Sequence, residues 1–158
     1  MEEVLSPNMQ KYENYRNQFS RLDKALKAEF YLEAIFIAYA IMEDRTESVL
    51  RHTGAWEAYE KSRRGHGVTL DSKIRRIQKM AENKQHICHR YFSDDTLQQI
   101  LDWKNTRNVM IHALLKQKLA DGELAALAQA GSELARTLRT KTGNLNRAIQ
   151  RAAENPTS

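Results

Sequence analysis

The sequence has very few of the residues that interrupt helices. Its 158 residues include only two prolines, Pro7 and Pro156, and six glycines. Because proline and glycine break helices most often, long helices can run uninterrupted between the two prolines. Alternating β-branched stretches, which would indicate strands, are also absent. These absences predict an all-α fold, and the length is typical of a single domain over residues 1–158.

Cysteines and long apolar segments are scarce as well. The one cysteine, Cys88, excludes an internal disulfide and fits a reducing cytoplasm. The longest apolar run, residues 34–42, is about half as long as a membrane-spanning helix. Glu2 and Glu3 differ from the basic start of a signal peptide. We therefore expect a soluble, cytoplasmic protein that makes no membrane contact.

Apolar residues recur at spacings of three and four along most of the chain, which is the pattern of amphipathic helices. The pattern predicts an up-down bundle of four to five helices with a long C-terminal helix, preceded by a loose tail over residues 1–8. The second helix is apolar on every side and should lie at the bundle's centre. Glycines and basic residues over 55–70 predict a mobile loop. The predicted helices cover about 8–27, 30–52, a third segment that is capped by Thr69 or Asp71 and ends near residue 90, a segment beginning after Ser93, and 123–154.

Positive charge is concentrated in one part of the sequence. Residues 61–90 contain nine Lys and Arg against two acids, a net charge of +7, whereas the whole chain carries +5. This concentration favours a polyanionic partner, because neutralising phosphates releases condensed counterions. A solvated helix face is the alternative interpretation. An acidic membrane surface is a weaker alternative, because no strong apolar face accompanies the charges. The residues that we predict to contact a nucleic-acid backbone are Arg63, Arg64, Lys73, Arg75, Arg76 and Lys79, together with Lys104 in the next helix.

Three potential metal ligands, His86, Cys88 and His89, lie close together. A tetrahedral zinc site usually takes four ligands in two separated pairs, and the chain has no second cysteine. A buried cysteine between surface histidines is the simpler interpretation. We therefore predict no metal site and no other cofactor.

The fourth predicted helix carries polar residues where a core helix would be apolar. Its apolar stripe consists of Leu97, Ile100, Leu101, Ile111 and Leu115. At helical spacing, Lys104 and Asn108 fall on the centre line of that stripe, and Arg107 and His112 lie beside it. Because unpaired polar groups are costly to bury, packing alone does not explain these four residues.

The spacing Arg107-Asn108-x-x-x-His112 resembles the R-N-x-x-x-H signature of the HEPN superfamily, whose members are small α-helical bundles and in many cases metal-independent ribonucleases. The resemblance implies that Arg107, Asn108 and His112 are catalytic residues of an endoribonuclease acting through the ribose 2′-hydroxyl, in toxin or antiviral defence. Histidine suits proton transfer, and arginine suits the charge of a phosphate. A non-catalytic RNA-binding or protein-interaction helical module is the alternative.

The resemblance also bears on partners. Arg107 and His112 diverge by roughly 140° around a helix, so the two side chains of one helix cannot readily reach the same phosphate. In HEPN families two copies pair about a two-fold axis, which implies a homodimer with a composite site.

HEPN toxins with nucleotidyltransferase antitoxins carry Tyr two residues after the motif His, where this chain has Leu114. Neutralisation by that route is therefore not expected, although an inhibitory protein partner of another kind stays open.

Asp44, near the end of the second helix, has two interpretations. Its carboxylate could orient a residue of the Arg107 and His112 site, as carboxylates often do for histidines. It could instead form an internal salt bridge with Arg45 or with a neighbouring helix.

Overall fold

The chain is helical throughout the part that the structure, a computed structural model, describes. This part is residues 6–156, apart from the side chains of Asn8 and Asp121, and it contains seven helices and no strand. The helices are α1 Pro7–Lys27, α2 Tyr31–His52, α3 Trp56–Ser62, α4 Leu70–Glu82, α5 Ile87–Phe92, α6 Thr96–Ala113 and α7 Asp121–Glu154. The predicted all-α class and the long C-terminal helix are confirmed. Of the tail predicted over residues 1–8, residues 1–5 lie outside the described part, and α1 begins at Pro7.

Helix α2 lies at the centre of the bundle, as its sequence predicts. It packs against α1, α3, α4 and α7. Its buried apolar residues include Ala34, Ile35, Ile37, Ala38, Ile41 and Met42. Each large aliphatic side chain buried in this way contributes roughly 1.5–3 kcal/mol. Helix α7 packs along α2 and also contacts α6, α5 and α1. Together α2 and α7 form the scaffold on which α4 and α6 are placed.

Local side-chain hydrogen bonds and backbone conformations account for several helix ends. The Ser6 side chain accepts a hydrogen bond from the Met9 N–H at 3.3 Å, and Pro7 follows it in the first turn of α1. Gly54 adopts a left-handed φ of 73° just after α2, as in a common C-terminal cap. Thr69 and Ser72 cap the start of α4 reciprocally.

The third predicted helix is two helices, which is one reason why the bundle has more helices than the predicted four to five. Asn83 is extended after α4, and its side chain accepts a hydrogen bond from the Gln85 N–H at 3.0 Å. The His86 ring then caps α5 by accepting from the Cys88 N–H at 3.1 Å. Polar side chains that bind the backbone locally thus compete with a continuous helix.

The loop predicted over 55–70 is shorter than expected. Helix α3 occupies its first half, where the Trp56 and Tyr59 rings pack at 5.6 Å between centroids. The Arg51 guanidinium covers the Trp56 ring at 4.3 Å. Residues 63–69 are irregular, with left-handed φ values at Gly65 and Gly67.

Helix α6 begins later than the predicted start after Ser93, and it ends before Leu115, the last residue of the predicted apolar stripe. Asp95 precedes its first residue, and the Asp94 carboxylate accepts a hydrogen bond from the Thr96 N–H at 3.2 Å. Leu115, expected in the apolar stripe, lies beyond the helix and is 96% exposed. His112 therefore stands in the last turn of α6. None of the helices described is both long and apolar enough to cross a membrane.

Candidate functional site

Two ion pairs join α4 to its neighbours and frame the candidate site. The Lys104 ammonium of α6 pairs with the Asp71 carboxylate at the start of α4. The Lys73 ammonium of α4 pairs with the Glu43 carboxylate of α2 and donates to the Glu43 carbonyl oxygen at 2.8 Å. Lys73 is only 3% exposed, so Glu43 compensates a charge that would otherwise be buried alone.

Arg107 points from α6 onto two aromatic rings of α2. Its guanidinium carbon lies 4.4 Å from the Tyr39 ring centroid and 5.2 Å from that of Phe36. Its Nη1 donates to the Asn108 Oδ1 at 3.0 Å, whereas its Nε is buried without a hydrogen bond. No carboxylate in residues 6–156 forms an ion pair with this guanidinium. Arg107 is therefore a half-buried cation that contacts the Tyr39 and Phe36 rings and the Asn108 side chain, and no carboxylate in the described part of the chain neutralises its positive charge.

Tyr39 remains a neutral phenol beside this arginine. Burial raises the pKa of its hydroxyl, and the charge and hydrogen bond of the Glu43 carboxylate raise it further. The Arg107 charge acts in the opposite direction and does not outweigh them. The Tyr39 hydroxyl thus keeps its proton beside the Glu43 carboxylate.

His112 lies apart from this cluster. Its side chain is exposed in the last turn of α6, and it makes no hydrogen bond or ion pair with the rest of the described chain. The structure therefore brings Arg107 and Asn108 together but leaves His112 facing solvent. This arrangement can bind an anion at Arg107 and can offer an accessible imidazole nearby on the same helix.

The residues predicted to contact nucleic acid fall into two groups. The structure contradicts the predicted role of Lys73 as a contact to the nucleic-acid backbone. Lys73 is buried and paired with Glu43, so it cannot reach a phosphate in this fold. Lys104 is also engaged, since its side chain is 16% exposed and paired with Asp71. Arg63 holds the loop, donating to the carbonyl oxygens of Gly67 at 2.9 Å and His66 at 3.3 Å. Exposed side chains are found at Arg64, Arg75 and Lys79, and Arg76 is half-buried with its Nε unpaired.

Asp44 forms the salt bridge that was its alternative interpretation. Its Oδ2 accepts from the Arg45 Nη2 at 2.6 Å, and its Oδ1 lies 3.8 Å from the Lys11 ammonium of α1. Burial opposes its ionisation, but hydrogen bonds from Arg45 and Tyr15 outweigh burial and lower its pKa. Asp44 therefore faces α1, and the interpretation in which it orients Arg107 or His112 is wrong.

The potential metal ligands have structural partners. Cys88 is fully buried, the His86 ring caps α5, and the His89 Nδ1 is 2.7 Å from the Ala81 carbonyl oxygen. Both histidines are half-buried, where the sequence predicted surface positions. Within the described residues, no three His, Cys, Asp or Glu side chains are grouped to hold a metal ion.

Sequence reasoning did not identify four residues that shape the site: Phe36, Tyr39, Glu43 and Asp71. A weak signal exists for two of them. Tyr39 and Glu43 are one turn apart on α2 and therefore share a face, whereas Asp44 is displaced from that face by about 100°. The roles of Phe36 and Asp71 depend on contacts with α6, which the sequence does not specify.

Comparison of the chain with protein-family models, with curated proteins and with solved structures finds no match.

Proposed function

We propose that this chain is a metal-independent endoribonuclease in which Arg107, Asn108 and His112 act on one RNA phosphate. The observation that carries the proposal is the state of Arg107. Arg45, Lys73, Lys104 and Lys141 are also buried or half-buried, and each has a carboxylate partner, whereas Arg76 and Arg107 each have a buried Nε without a hydrogen bond and no ion pair among the described residues. Arg107 differs from Arg76 in lying against two aromatic rings. Leaving a partly buried charge unpaired is costly. A bound phosphate would supply the missing anion.

The proposed chemistry needs only groups that this chain carries. The ribose 2′-oxygen attacks the adjacent phosphorus, its proton leaves to a neutral His112 imidazole, and the bond to the 5′-oxygen breaks. The imidazolium formed in this way gives its proton to the 5′-oxygen, so the products are a 2′,3′-cyclic phosphate and a 5′-hydroxyl. The Arg107 guanidinium stabilises the additional negative charge on the phosphorane. Asn108 orients that guanidinium through its 3.0 Å hydrogen bond.

The proposal includes a homodimer, because Arg107 and His112 of one chain diverge around α6 and cannot both be aimed at one phosphate. Arg107 is directed at α2 while His112 faces solvent. A two-fold pairing of α6 helices would bring His112 of one copy towards Arg107 of the other. Around this region α2 and α6 expose apolar side chains, with Phe36 53% and Val109 69% exposed. Burial of such residues is what a self-complementary interface would gain from pairing.

A role in toxin or antiviral defence follows from the proposed activity. Unrestricted cleavage of cytoplasmic RNA harms the cell that makes the enzyme. An inhibitory protein partner, or an activating signal, is therefore part of the proposal. The exposed Arg64, Arg75 and Lys79 would contribute contacts to the RNA backbone.

The test is cleavage of a mixed RNA pool in the presence of EDTA. We expect wild type to generate 2′,3′-cyclic phosphate ends, His112→Ala to be slower by about 10²–10⁴-fold, and Arg107→Ala by about 10²–10³-fold. Matched controls are His66→Ala, an exposed histidine in the loop, and Arg139→Ala, whose guanidinium lies 4.7 Å from the Phe19 ring. Both controls should cleave at the wild-type rate.

Four outcomes would contradict the proposal. Cleavage that survives in His112→Ala, or that EDTA abolishes, would indicate another nuclease. RNA binding without cleavage by wild type would favour the non-catalytic RNA-binding module, and absence of both would favour a protein-interaction module.

A further inference from the structure

Two aromatic residues of α2 form the surface on which the Arg107 guanidinium rests. Phe36 and Tyr39 are three residues apart and therefore neighbours on one helix face. Their ring centroids lie 5.2 and 4.4 Å from the Arg107 guanidinium carbon, both within cation–π range. Tyr39 is the nearer and the more buried of the two, whereas Phe36 is 53% exposed.

Tyr39 is also held at its far end. The Glu43 carboxylate is close enough to the Tyr39 hydroxyl to raise the pKa of that group, and the carboxylate is paired with the buried Lys73 ammonium. The chain of contacts runs from α4 through α2 to Arg107 on α6. Because both the ring and its hydroxyl are engaged, the orientation of the ring is fixed by contacts on either side. Phe36 has no polar group that could fix it in the same way.

A ring orients a guanidinium without neutralising it. A carboxylate partner would compete with an incoming phosphate for the Arg107 charge, as Asp71 occupies Lys104. An aromatic face instead restricts the plane of the guanidinium and leaves its N–H donors able to bind an anion. Immobilising a flexible arginine before the ligand arrives also lowers the entropic cost of binding.

We infer that Tyr39 is a positioning residue that fixes the plane of the Arg107 guanidinium for a phosphate of the substrate. The inference rests on the proposed function for its catalytic consequence. The ring carries this role, while the hydroxyl anchors the ring through Glu43. It follows that phenylalanine can replace Tyr39 and that an aliphatic residue of similar size cannot.

The first test compares Tyr39→Phe with Tyr39→Leu in the RNA cleavage assay. Tyr39→Phe should keep kcat within about threefold of wild type, and Tyr39→Leu should lower it by about tenfold, as expected from one lost cation–π contact. The matched control is Tyr15→Leu, because the Arg45 guanidinium covers the Tyr15 ring at 3.8 Å in the same manner. Tyr15→Leu should lower the melting temperature and leave kcat unchanged.

The second test does not depend on ribonuclease activity. In ¹H–¹⁵N spectra, the Arg107 Nε–H resonance, assigned by its loss in Arg107→Lys, should be shifted upfield by the ring in wild type and Tyr39→Phe. It should move downfield in Tyr39→Leu, and inorganic phosphate should shift it at lower concentration in wild type than in Tyr39→Leu. If wild type cleaves no RNA while these shifts are observed, the proposed function fails and the positioning of Arg107 stands.

Two results would overturn the inference. One is a Tyr39→Leu protein whose Arg107 resonance, phosphate response and kcat equal those of wild type. The other is an equal loss in Tyr39→Phe and Tyr39→Leu, which would assign the role to the hydroxyl and not to the ring.

Discussion

At the scale of single residues, the surroundings determine what each charge can do. Lys73 and Lys79 lie on the same helix and look alike in the sequence, yet Lys73 is buried against Glu43 while Lys79 is exposed. The sequence predicted both as phosphate contacts. It could not separate them, because the partner of Lys73 is thirty residues away on another helix. By contrast, Arg107 and Asn108 are adjacent in sequence, and their hydrogen bond is local.

Cys88 provides a prediction at this scale. Burial raises the pKa of its thiol to about 11. At pH 8, native protein should therefore react with iodoacetamide on the order of a hundredfold more slowly than urea-unfolded protein, because its thiolate is scarce and inaccessible. Mass spectrometry of the alkylated chain gives both rates.

The raised pKa of the Cys88 thiol also makes the stability of the fold depend on pH. The thiol ionises near 9.0 when exposed and near 11 when folded, so the free energy of unfolding should fall as pH rises between those values. Cys88→Ala removes this contribution and serves as the control. Equal alkylation rates of folded and unfolded protein would show that Cys88 is not buried as described.

At the scale of helices, apolar spacing predicts the existence of elements better than their ends. The first, second and last helices lie close to their predicted ranges because strong one-sided or all-round apolar patterns define them. The break between α4 and α5 was missed because it depends on the Asn83 and His86 side chains bonding to nearby backbone. Similarly, α6 lacks a continuous buried stripe: its first half packs in the core, and its second half carries the polar site residues.

Two glycines of α7 provide a matched prediction. A Cβ at Gly131 would lie 2.5 Å from the Trp103 Cζ2, where α7 and α6 approach closely, so Gly131→Ala should destabilise the fold by about 1–3 kcal/mol through overpacking. Gly143 has only the Arg147 Nη1 at 3.8 Å, so Gly143→Ala should stabilise the fold by about 0.5–1 kcal/mol. Urea unfolding monitored by circular dichroism measures both changes.

The comparison between these two variants distinguishes packing from helix propensity. Trp103 is buried and its Nε1 donates to the Leu127 carbonyl oxygen at 2.9 Å, so the ring has little room to move. If Gly131→Ala were as stabilising as Gly143→Ala, the close packing of α6 on α7 at this position would be refuted.

At the scale of the whole molecule, the site depends on how three helices meet. The sequence singles out Arg107, Asn108 and His112 as candidates, because they are polar residues within an apolar pattern at a recognisable spacing. It did not identify Tyr39 or Glu43, since their importance arises from the contact of α2 with α4 and α6. The second copy that the proposed mechanism requires is likewise a property of assembly. The homodimer is predicted because Arg107 and His112 point in different directions from one helix.

The most direct measurement mixes two inactive variants, Arg107→Ala and His112→Ala, after unfolding and refolding them together. Mixed dimers restore a site in which one copy supplies Arg107 and the other supplies His112. The account predicts that EDTA-resistant cleavage by the mixture exceeds that of either variant refolded alone. A mixture no more active than its components, alongside an active wild type and confirmed mixed dimers, would contradict the composite site.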